Sequence, residues 1–147
     1  MQDLNHNFQT IQEEWIAYAL SHSDSVPEIL VKLEKETHQK VLQPRMLSGP
    51  LQGRLLSLFS TLLQPKKILE IGTFTGYATL SLAEGLHEDG ELHTIDWNEE
   101  LVFLQQKYFL KSRYRKNIYA HLGNALEVVP KIEGPFDLVF IDADKIN

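Results

Sequence analysis

Glu70 stands where a carboxylate can bind a polar ligand, beside a glycine-containing turn. It lies in the short apolar run Lys67–Ile71, which is followed by Gly72 and Gly76 at a predicted strand-to-helix turn. Glycines at such a turn let the backbone approach a ligand closely, and the next helix offers unpaired N–H groups. Glu70 can accept a hydrogen bond from an ammonium group there. The spacing differs from the Gly-x-Gly-x-x-Gly of a dinucleotide site, and a merely tight turn would also explain it.

A second carboxylate, Asp96, follows about twenty residues after Gly76, at the end of the next apolar run. A carboxylate in that position can accept both ribose hydroxyls of a nucleoside lying across the strand ends. A helix cap beside Asn98 is the alternative. Trp97 can stack on a purine or cover the sheet, and the small loop 123–125 can frame an adenine or be an ordinary loop. Together with the glycine turn, these residues favour a nucleoside-containing ligand.

A third group is the acidic sequence Asp142-Ala143-Asp144-Lys145, which directly follows the apolar run Phe136–Ile141. Carboxylates at the end of a buried strand can hold a hard cation such as Mg²⁺. A lysine beside a metal and partly desolvated can have its pKa lowered enough to act as a base. A solvated charge cluster is the alternative, and on this segment alone it would be preferred.

Four apolar runs alternate with helical segments in the second part of the chain, and they must position these residues. Such alternation, with helices of 10–15 residues, predicts an α/β fold with a Rossmann-like, doubly wound parallel sheet. The predicted strands are Lys67–Ile71, Glu91–Asp96, Asn117–Leu122 and Phe136–Ile141, and the predicted helices are Tyr77–His87, Asn98–Arg113 and Ala125–Ile132.

The first part of the chain reads as helices. Periodic apolar residues predict one helix over Ile11–Leu20 and a second with Pro27 in its first turn. A third helix has a stripe of large apolar residues in register, namely Leu51, Leu55, Leu58, Phe59 and Leu62. We therefore expect a single domain over 1–147, with N-terminal helices over 1–64 and the first half of a sheet over 65–147.

The amino-acid composition excludes several classes of protein for this chain. The chain has 147 residues, a net charge of −6 and no cysteine, which excludes disulfides and a thiolate nucleophile and argues against a nucleic-acid footprint. No apolar run approaches the ~20 residues of a membrane span, and the N-terminus does not look like a signal peptide. We expect a soluble, cytoplasmic protein. The six histidines form no zinc motif, and we interpret His93 and His121 as packing residues.

The segments EIGTFTGYATLSLA, LHTIDWNEE, HLGNALEVVP and FDLVFIDADK, together with RMLSGPLQGRLL upstream, resemble the cation-dependent O-methyltransferases of the catechol and caffeoyl-CoA type. The resemblance implies a Rossmann-like sheet that binds S-adenosylmethionine. It also implies a divalent cation (Mg²⁺, with Ca²⁺ or Mn²⁺ as alternatives) and methyl transfer to a hydroxyl of a catechol-like small molecule. The implied partners are that substrate and, in the full-length form, a second copy of the chain, with no nucleic acid and no membrane.

The resemblance also assigns roles to single residues. It implies that Asp142 binds the metal, that Lys145 is the catalytic base and that Met46 lies beside the substrate. The cofactor-binding residues that it implies are Ser48, Glu70, Gly72, Thr73, Ala78, Asp96, Trp97, Asn124, Ala125 and Asp144.

The chain departs from the family pattern at two points. Ala78 replaces a serine that the family commonly has after Gly-Tyr, so one hydroxyl contact to the cofactor is missing. The Asp-Asn pair that completes the family's metal site would lie beyond Asn147, and we expect a C-terminal truncation. Two alternatives stay open: another class of S-adenosylmethionine-dependent methyltransferase acting on RNA or protein, or a non-catalytic cofactor-binding fragment.

Overall fold

Residues 13–143 are described by a computed structural model, and they form helices around a four-stranded sheet. Ile11, Asp144 and Lys145 lie outside the described residues. The helices are α1 (residues 13–21), α2 (Glu28–Lys40), α3 (Gly49–Leu63), α4 (Tyr77–Ala83), α5 (Val102–Lys111) and α6 (Ala125–Val128). The strands are β1 (Lys67–Ile71), β2 (Glu91–Asp96), β3 (Ile118–Leu122) and β4 (Leu138–Ile141).

All four strands are parallel and lie in the order β3-β2-β1-β4. The chain moves outward from β1 to β3 and then returns to the other side of β1. Strand order therefore reverses between β1 and β4, and open α/β sheets bind ligands outside the strand ends at such a point. The predicted α/β class and parallel sheet are confirmed.

Three predicted helices are shorter in the structure. The helix predicted over Asn98–Arg113 begins as a 3₁₀ turn over Glu99–Leu101 and is α-helical only over Val102–Lys111. The helix predicted over Tyr77–His87 ends at Ala83. A Cβ at Gly85 would lie 2.1 Å from the backbone of Ser60, so the chain after α4 passes directly against α3. The helix predicted over Ala125–Ile132 is α-helical only to Val128 and continues as a 3₁₀ turn that contains Pro130. The predicted cap is confirmed: Asn98 accepts a hydrogen bond from the N–H of Glu100 at 3.0 Å.

The hydrophobic core has two adjoining parts with α4 between them. One part packs α4 against α2 and α5 through residues such as Leu33, Leu80 and Leu104. The other packs α3 and α4 onto the sheet, with Ile68 and Leu92 fully buried. Every residue of α4 is buried, so the core surrounds this short helix on all sides.

The buried face of α3 differs from the one that its apolar pattern indicates. Its buried residues are Gly53, Leu56, Ser57 and Ser60, which face α4. The stripe of large apolar side chains on α3 is exposed instead. The exposed fractions of these side chains range from 40% at Leu51 to 72% at Leu62. Small residues are on the buried side because α3 and α4 approach closely: a Cβ at Gly53 would meet the Tyr77 ring at 2.6 Å.

None of the helices within residues 13–143 is long and apolar enough to cross a membrane.

Candidate functional site

Backbone hydrogen bonds link the carboxyl ends of neighbouring strands at one edge of the sheet. The residue that follows each of three strands still makes a backbone hydrogen bond to a neighbouring strand. Gly72 donates to Ile95, Asp142 donates to Ile71 and Gly123 donates to Asp96, with N···O distances of 2.8–2.9 Å. These bonds bring the predicted ligand-binding residues after β1, β2, β3 and β4 to one rim.

Glu70 of β1 is completely buried near this rim. Its Oε2 accepts hydrogen bonds from the hydroxyls of Thr79 and Thr94, the latter at 2.5 Å. Its Oε1 is also buried and has no hydrogen-bond partner among the described residues. Burial raises the pKa of Glu70 to about 7, against the opposing effect of the two hydroxyls. A carboxylate oxygen left unsatisfied in this way is costly unless a ligand or water reaches it.

The turn after β1 brings the backbone against the end of β4. Gly72 has φ +104°, and a Cβ there would lie 2.8 Å from the backbone carbonyl of Asp142. Both the conformation and the space therefore require glycine. Phe74 has φ +50°, and its carbonyl accepts a hydrogen bond from the Gln105 side chain at 2.8 Å. The turn is thus fixed by contacts from α5 and by the adjacent strand ends.

Asp96 ends β2 and is partly buried. One carboxylate oxygen accepts from the N–H of Phe74 at 2.6 Å and the other from the N–H of Asn98 at 2.9 Å. The cap of the helix that follows is therefore Asn98 and not Asp96, whose contact with the N–H of Asn98 fixes the turn before that helix. Asp96 also ties the glycine turn to β2. Each of its oxygens keeps a second lone pair for a ligand.

The residues predicted to contact a purine lie beyond β2 and β3. Trp97 is 79% exposed, so the suggestion that it covers the sheet is wrong. Asn124 caps α6 by accepting from the N–H of Leu126 at 2.9 Å. Ala125 is partly buried at the first position of α6. The structure places all three at the same rim as Asp96.

Asp142 follows β4 and is exposed, and its carboxylate accepts from the Gln52 amide of α3 at 3.4 Å. Among residues 13–143, no group of three or more histidine, aspartate or glutamate side chains is arranged to hold a metal ion. Asp142 is therefore not part of a metal-binding cluster within the described residues. Asp144 and Lys145, predicted as cofactor contact and base, lie outside the described residues.

The other residues that were predicted to contact the cofactor or the substrate lie in α4 and just before α3. Ala78 is 4% exposed and packs in the core with Leu56 and Leu82. Ser48 precedes α3 and is partly buried, without a side-chain capping bond, while Met46 is 53% exposed.

His93 and His121 contact each other on one face of β2 and β3. Their ring nitrogens lie 3.0 Å apart, and His93 stacks on Tyr119 with ring centroids 5.0 Å apart. His93 also reaches Glu91 at 3.3 Å, and burial lowers the pKa of His121. The predicted packing role is consistent with these contacts, which add a polar link between two strands.

Three polar residues of the site were missed by the sequence reasoning, namely Thr79, Thr94 and Gln52. Thr94 is directly opposite Glu70 in the register of β1 and β2. If the two apolar runs had been aligned in the sequence by the residues that end them, the facing position of Thr94 and Glu70 would have been predicted. Thr79 and Gln52 have no comparable signal, because helix packing brings them to the site.

Comparison with known proteins assigns the chain to a family. The model of the O-methyltransferase family matches residues 20–147, so the chain belongs to this family. A catechol O-methyltransferase from Niastella koreensis is 35% identical over 106 residues, which cover 69% of this chain and 48% of that protein. A probable caffeoyl-CoA O-methyltransferase from Arabidopsis thaliana is 33% identical over 143 residues, covering 92% and 61%. The chain spans about half the length of such relatives.

Solved structures show the same arrangement of elements. A methyltransferase from Podospora anserina, solved with bound S-adenosylhomocysteine, superposes with a TM-score of 0.85 at 27% identity, covering 91% of this chain and 58% of that one. The O-methyltransferase TomG from Streptomyces achromogenes, in complex with S-adenosylmethionine, has a TM-score of 0.81 at 32% identity, covering 91% and 63%. The Rossmann-like methyltransferase fold of the chain is thereby established.

Proposed function

We propose that this chain is the cofactor-binding part of an S-adenosylmethionine-dependent O-methyltransferase that acts on a catechol-like small molecule with a divalent cation. The proposal rests on one observation about the place where the strand order reverses, between β1 and β4. There, a buried carboxylate oxygen has no hydrogen-bond partner among the described residues, and the backbone after β1 lies against the end of β4. The oxygen is Oε1 of Glu70, and the backbone is that of Gly72. Both features suit a bound group that has an ammonium and sits over the strand ends.

The residues of the rim fit the separate parts of S-adenosylmethionine. Glu70 would accept from the ammonium of the methionine part, with Gly72 and Thr73 beside it and Ser48 at the methionine end. Asp96 would accept the ribose hydroxyls with the lone pairs that its two backbone contacts leave free. Asn124, Ala125 and the exposed Trp97 would border the adenine.

Ala78 and Asp144 are also proposed to contact the cofactor. The side chain of Ala78 packs in the core, so a contact from this residue would come from its backbone. Its methyl group supplies no replacement for the serine hydroxyl that related chains use. Asp144 lies outside the described residues, and its proposed role comes from the resemblance to the family.

The chemistry requires an electrophilic methyl group, which the sulfonium of S-adenosylmethionine supplies when bound. This chain would bind and orient the cofactor at the strand ends and bring the acceptor to the side of β4. Asp142 is the proposed cation ligand, and Met46, which is exposed before α3, is the proposed substrate contact. Lys145 is the proposed base. Named relatives act on catechol and caffeoyl-CoA, which supports an acceptor with adjacent hydroxyls on an aromatic ring.

A second candidate, non-catalytic cofactor binding by these 147 residues alone, is favoured by the lack of a metal-binding cluster among residues 13–143. Mg²⁺ takes about six oxygen ligands, commonly with several waters, and residues 13–143 contain no group of three or more side chains arranged to hold a metal ion. We therefore expect the isolated chain to bind the cofactor but not to transfer its methyl group. An RNA acceptor is disfavoured by the net charge of −6. The names of the relatives favour a small-molecule acceptor over RNA or protein.

Two measurements separate these possibilities. Calorimetry with S-adenosylmethionine tests the cofactor site, and absence of binding to the folded chain would contradict the proposal. A labelled-methyl assay with catechol and Mg²⁺, repeated in EDTA and with Asp142→Ala, tests catalysis. Transfer that depends on Mg²⁺ and on Asp142 would establish catalysis by the chain itself. Binding without transfer supports the non-catalytic role, and transfer undiminished in EDTA excludes a metal role for Asp142.

The remaining expectations concern partners and location. We also propose that the full-length form is a homodimer, that it binds neither nucleic acid nor membranes, and that it is cytoplasmic. The acidic charge of the chain and the small-molecule acceptors in the names of its relatives support the exclusion of nucleic acid.

A further inference from the structure

The carboxylate of Glu70 is held by two hydroxyl groups from different elements. Thr94 comes from the facing position of β2, and Thr79 comes from α4. Both threonines are 0% exposed, as is Glu70 itself. The arrangement therefore depends on the packing of three elements and has no access to bulk water.

Both hydroxyls donate to the same oxygen, Oε2, and Oε1 has no partner among the described residues. Two donors on one oxygen restrict rotation of the carboxylate. Donation to the other oxygen would have satisfied the group without a ligand. The asymmetry keeps one fixed, buried acceptor available.

A third hydroxyl extends the contact to the glycine turn. Thr73 is 3% exposed, and its Oγ1 lies 2.5 Å from Oγ1 of Thr94. A hydroxyl has one proton, so if Thr94 donates to Glu70, Thr73 is the donor to Thr94. The hydrogen bonds then run from Thr73 through Thr94 to Glu70, joining the turn to the buried carboxylate.

We propose that Thr94 and Thr79 are positioning residues that hold Glu70 with Oε1 directed to the ammonium of S-adenosylmethionine. Neither threonine would touch the cofactor. The inference rests on the proposed function, because it assumes that S-adenosylmethionine is the ligand.

The groups around Glu70 predict a change in the pH dependence of cofactor binding when one of the threonine hydroxyls is removed. Burial, together with the carboxylates of Asp96 and Asp142, raises the pKa of Glu70, and the two hydroxyls lower it. Loss of one hydroxyl therefore raises the pKa of Glu70 further. Less of the ionised form is then present at neutral pH, and cofactor affinity should recover only at higher pH. A purely structural role for the threonine would not shift this pH dependence.

The experiment measures the affinity for S-adenosylmethionine by calorimetry from pH 6 to pH 9. The variants are Thr94→Val, Thr94→Ser and Thr79→Val, with Ser60→Ala as the control. Ser60 is a fully buried hydroxyl that donates to the carbonyl of Leu82 at 2.6 Å and does not contact Glu70. We expect Thr94→Val and Thr79→Val to bind ~10-fold or more weakly at pH 7, the scale of a lost hydrogen bond to a charged group. Their pH profiles should move to higher pH, while Thr94→Ser and Ser60→Ala bind like the wild type.

The outcomes distinguish this inference from the proposed function. If the wild-type chain does not bind S-adenosylmethionine, the proposed function fails and the inference fails with it. If the wild type binds, and the valine variants keep its affinity and pH profile, only the inference is overturned. Should Thr94→Val not fold, Thr79→Val decides, because it removes the second hydroxyl from a different element.

Discussion

The carboxylate of Asp96 accepts a hydrogen bond from the backbone N–H of Phe74 at 2.6 Å. This contact joins the end of β2 to the glycine turn that follows β1. Asp96 is therefore both a proposed ribose acceptor and a structural support of the turn that would hold the methionine part of the cofactor.

Replacing Asp96 should weaken cofactor binding. Asp96→Ala removes both proposed ribose acceptors and the partner of Phe74, so we expect a loss of ~1–3 kcal/mol of binding free energy. Calorimetry with S-adenosylmethionine measures it. Asn98→Ala is the matched control, because it removes the neighbouring cap of Glu100 and leaves the Asp96 carboxylate. Equal affinity of Asp96→Ala and wild type would refute the ribose assignment.

The stability of the cofactor-free chain should depend on the protonation of Glu70. Burial raises the pKa of Glu70 from 4.5 to about 7, so the folded chain binds this proton more tightly than the unfolded chain. The stabilising contribution is fully present below pH 4.5 and is lost as the pH rises through 7. The total change is on the order of 3 kcal/mol at most.

Urea denaturation of the wild type and of Glu70→Gln between pH 4 and pH 8 tests this dependence. The difference in unfolding free energy between the two proteins should change over that range, because glutamine does not titrate. A constant difference would show that Glu70 titrates normally in the folded chain.

Glu36 should have the opposite pH dependence. It accepts from Lys107, Lys40 and the Tyr108 hydroxyl at 2.5–2.7 Å, joining α2 to α5. These donors, Lys107 first, lower the pKa of Glu36 to about 2. Its stabilisation is present above the ordinary pKa of 4.5 and is lost as the pH falls towards 2.

We expect Glu36→Gln to lower the unfolding free energy by ~1–3 kcal/mol at pH 7 and by less at pH 3. Denaturant titration at the two pH values measures this. Glu28→Gln is the control: it breaks an ion pair with Lys32 on the exposed side of the same helix, and we expect no measurable change. Equal effects of the two substitutions would contradict a special role for Glu36.

The exposed stripe of α3 and the edge of β4 should make the chain associate. Phe59 and Leu62 are 49% and 72% exposed, and β4, which pairs with β1 at one edge of the sheet, exposes 64% of Ile141. The outer edge of β4 has no partner strand among residues 13–143, and apolar surface beside such an edge promotes association. Light scattering should show oligomers that Leu62→Lys reduces, whereas Leu42→Lys, at a 95% exposed leucine before α3, should not. A monomer at all concentrations would contradict this prediction.

The sequence predicts the sheet well because each strand is a short apolar run followed by a polar or glycine residue. It predicts the rim residues for the same reason, since parallel strands align their carboxyl ends. The hydroxyl pair on Glu70 escapes prediction, because Thr79 comes from α4 and only the packing of that helix brings it near. The face of α3 is misread because periodicity marks the largest apolar residues, whereas close helix contact selects small ones.

Buried hydrophobic positions usually tolerate substitution least, but the close contact between α3 and α4 makes small residues the least tolerant positions of this helix pair. Added atoms at Gly53 would collide with Tyr77, and at Gly85 they would collide with the backbone of Ser60. Leu58 and Leu62, by contrast, face outward in the monomer. A saturation screen of the monomer's folding should therefore accept polar residues at these leucines and reject even alanine at the two glycines. Hydrophobicity alone would be a poor guide to conserved positions in this helix pair, and side-chain volume a better one.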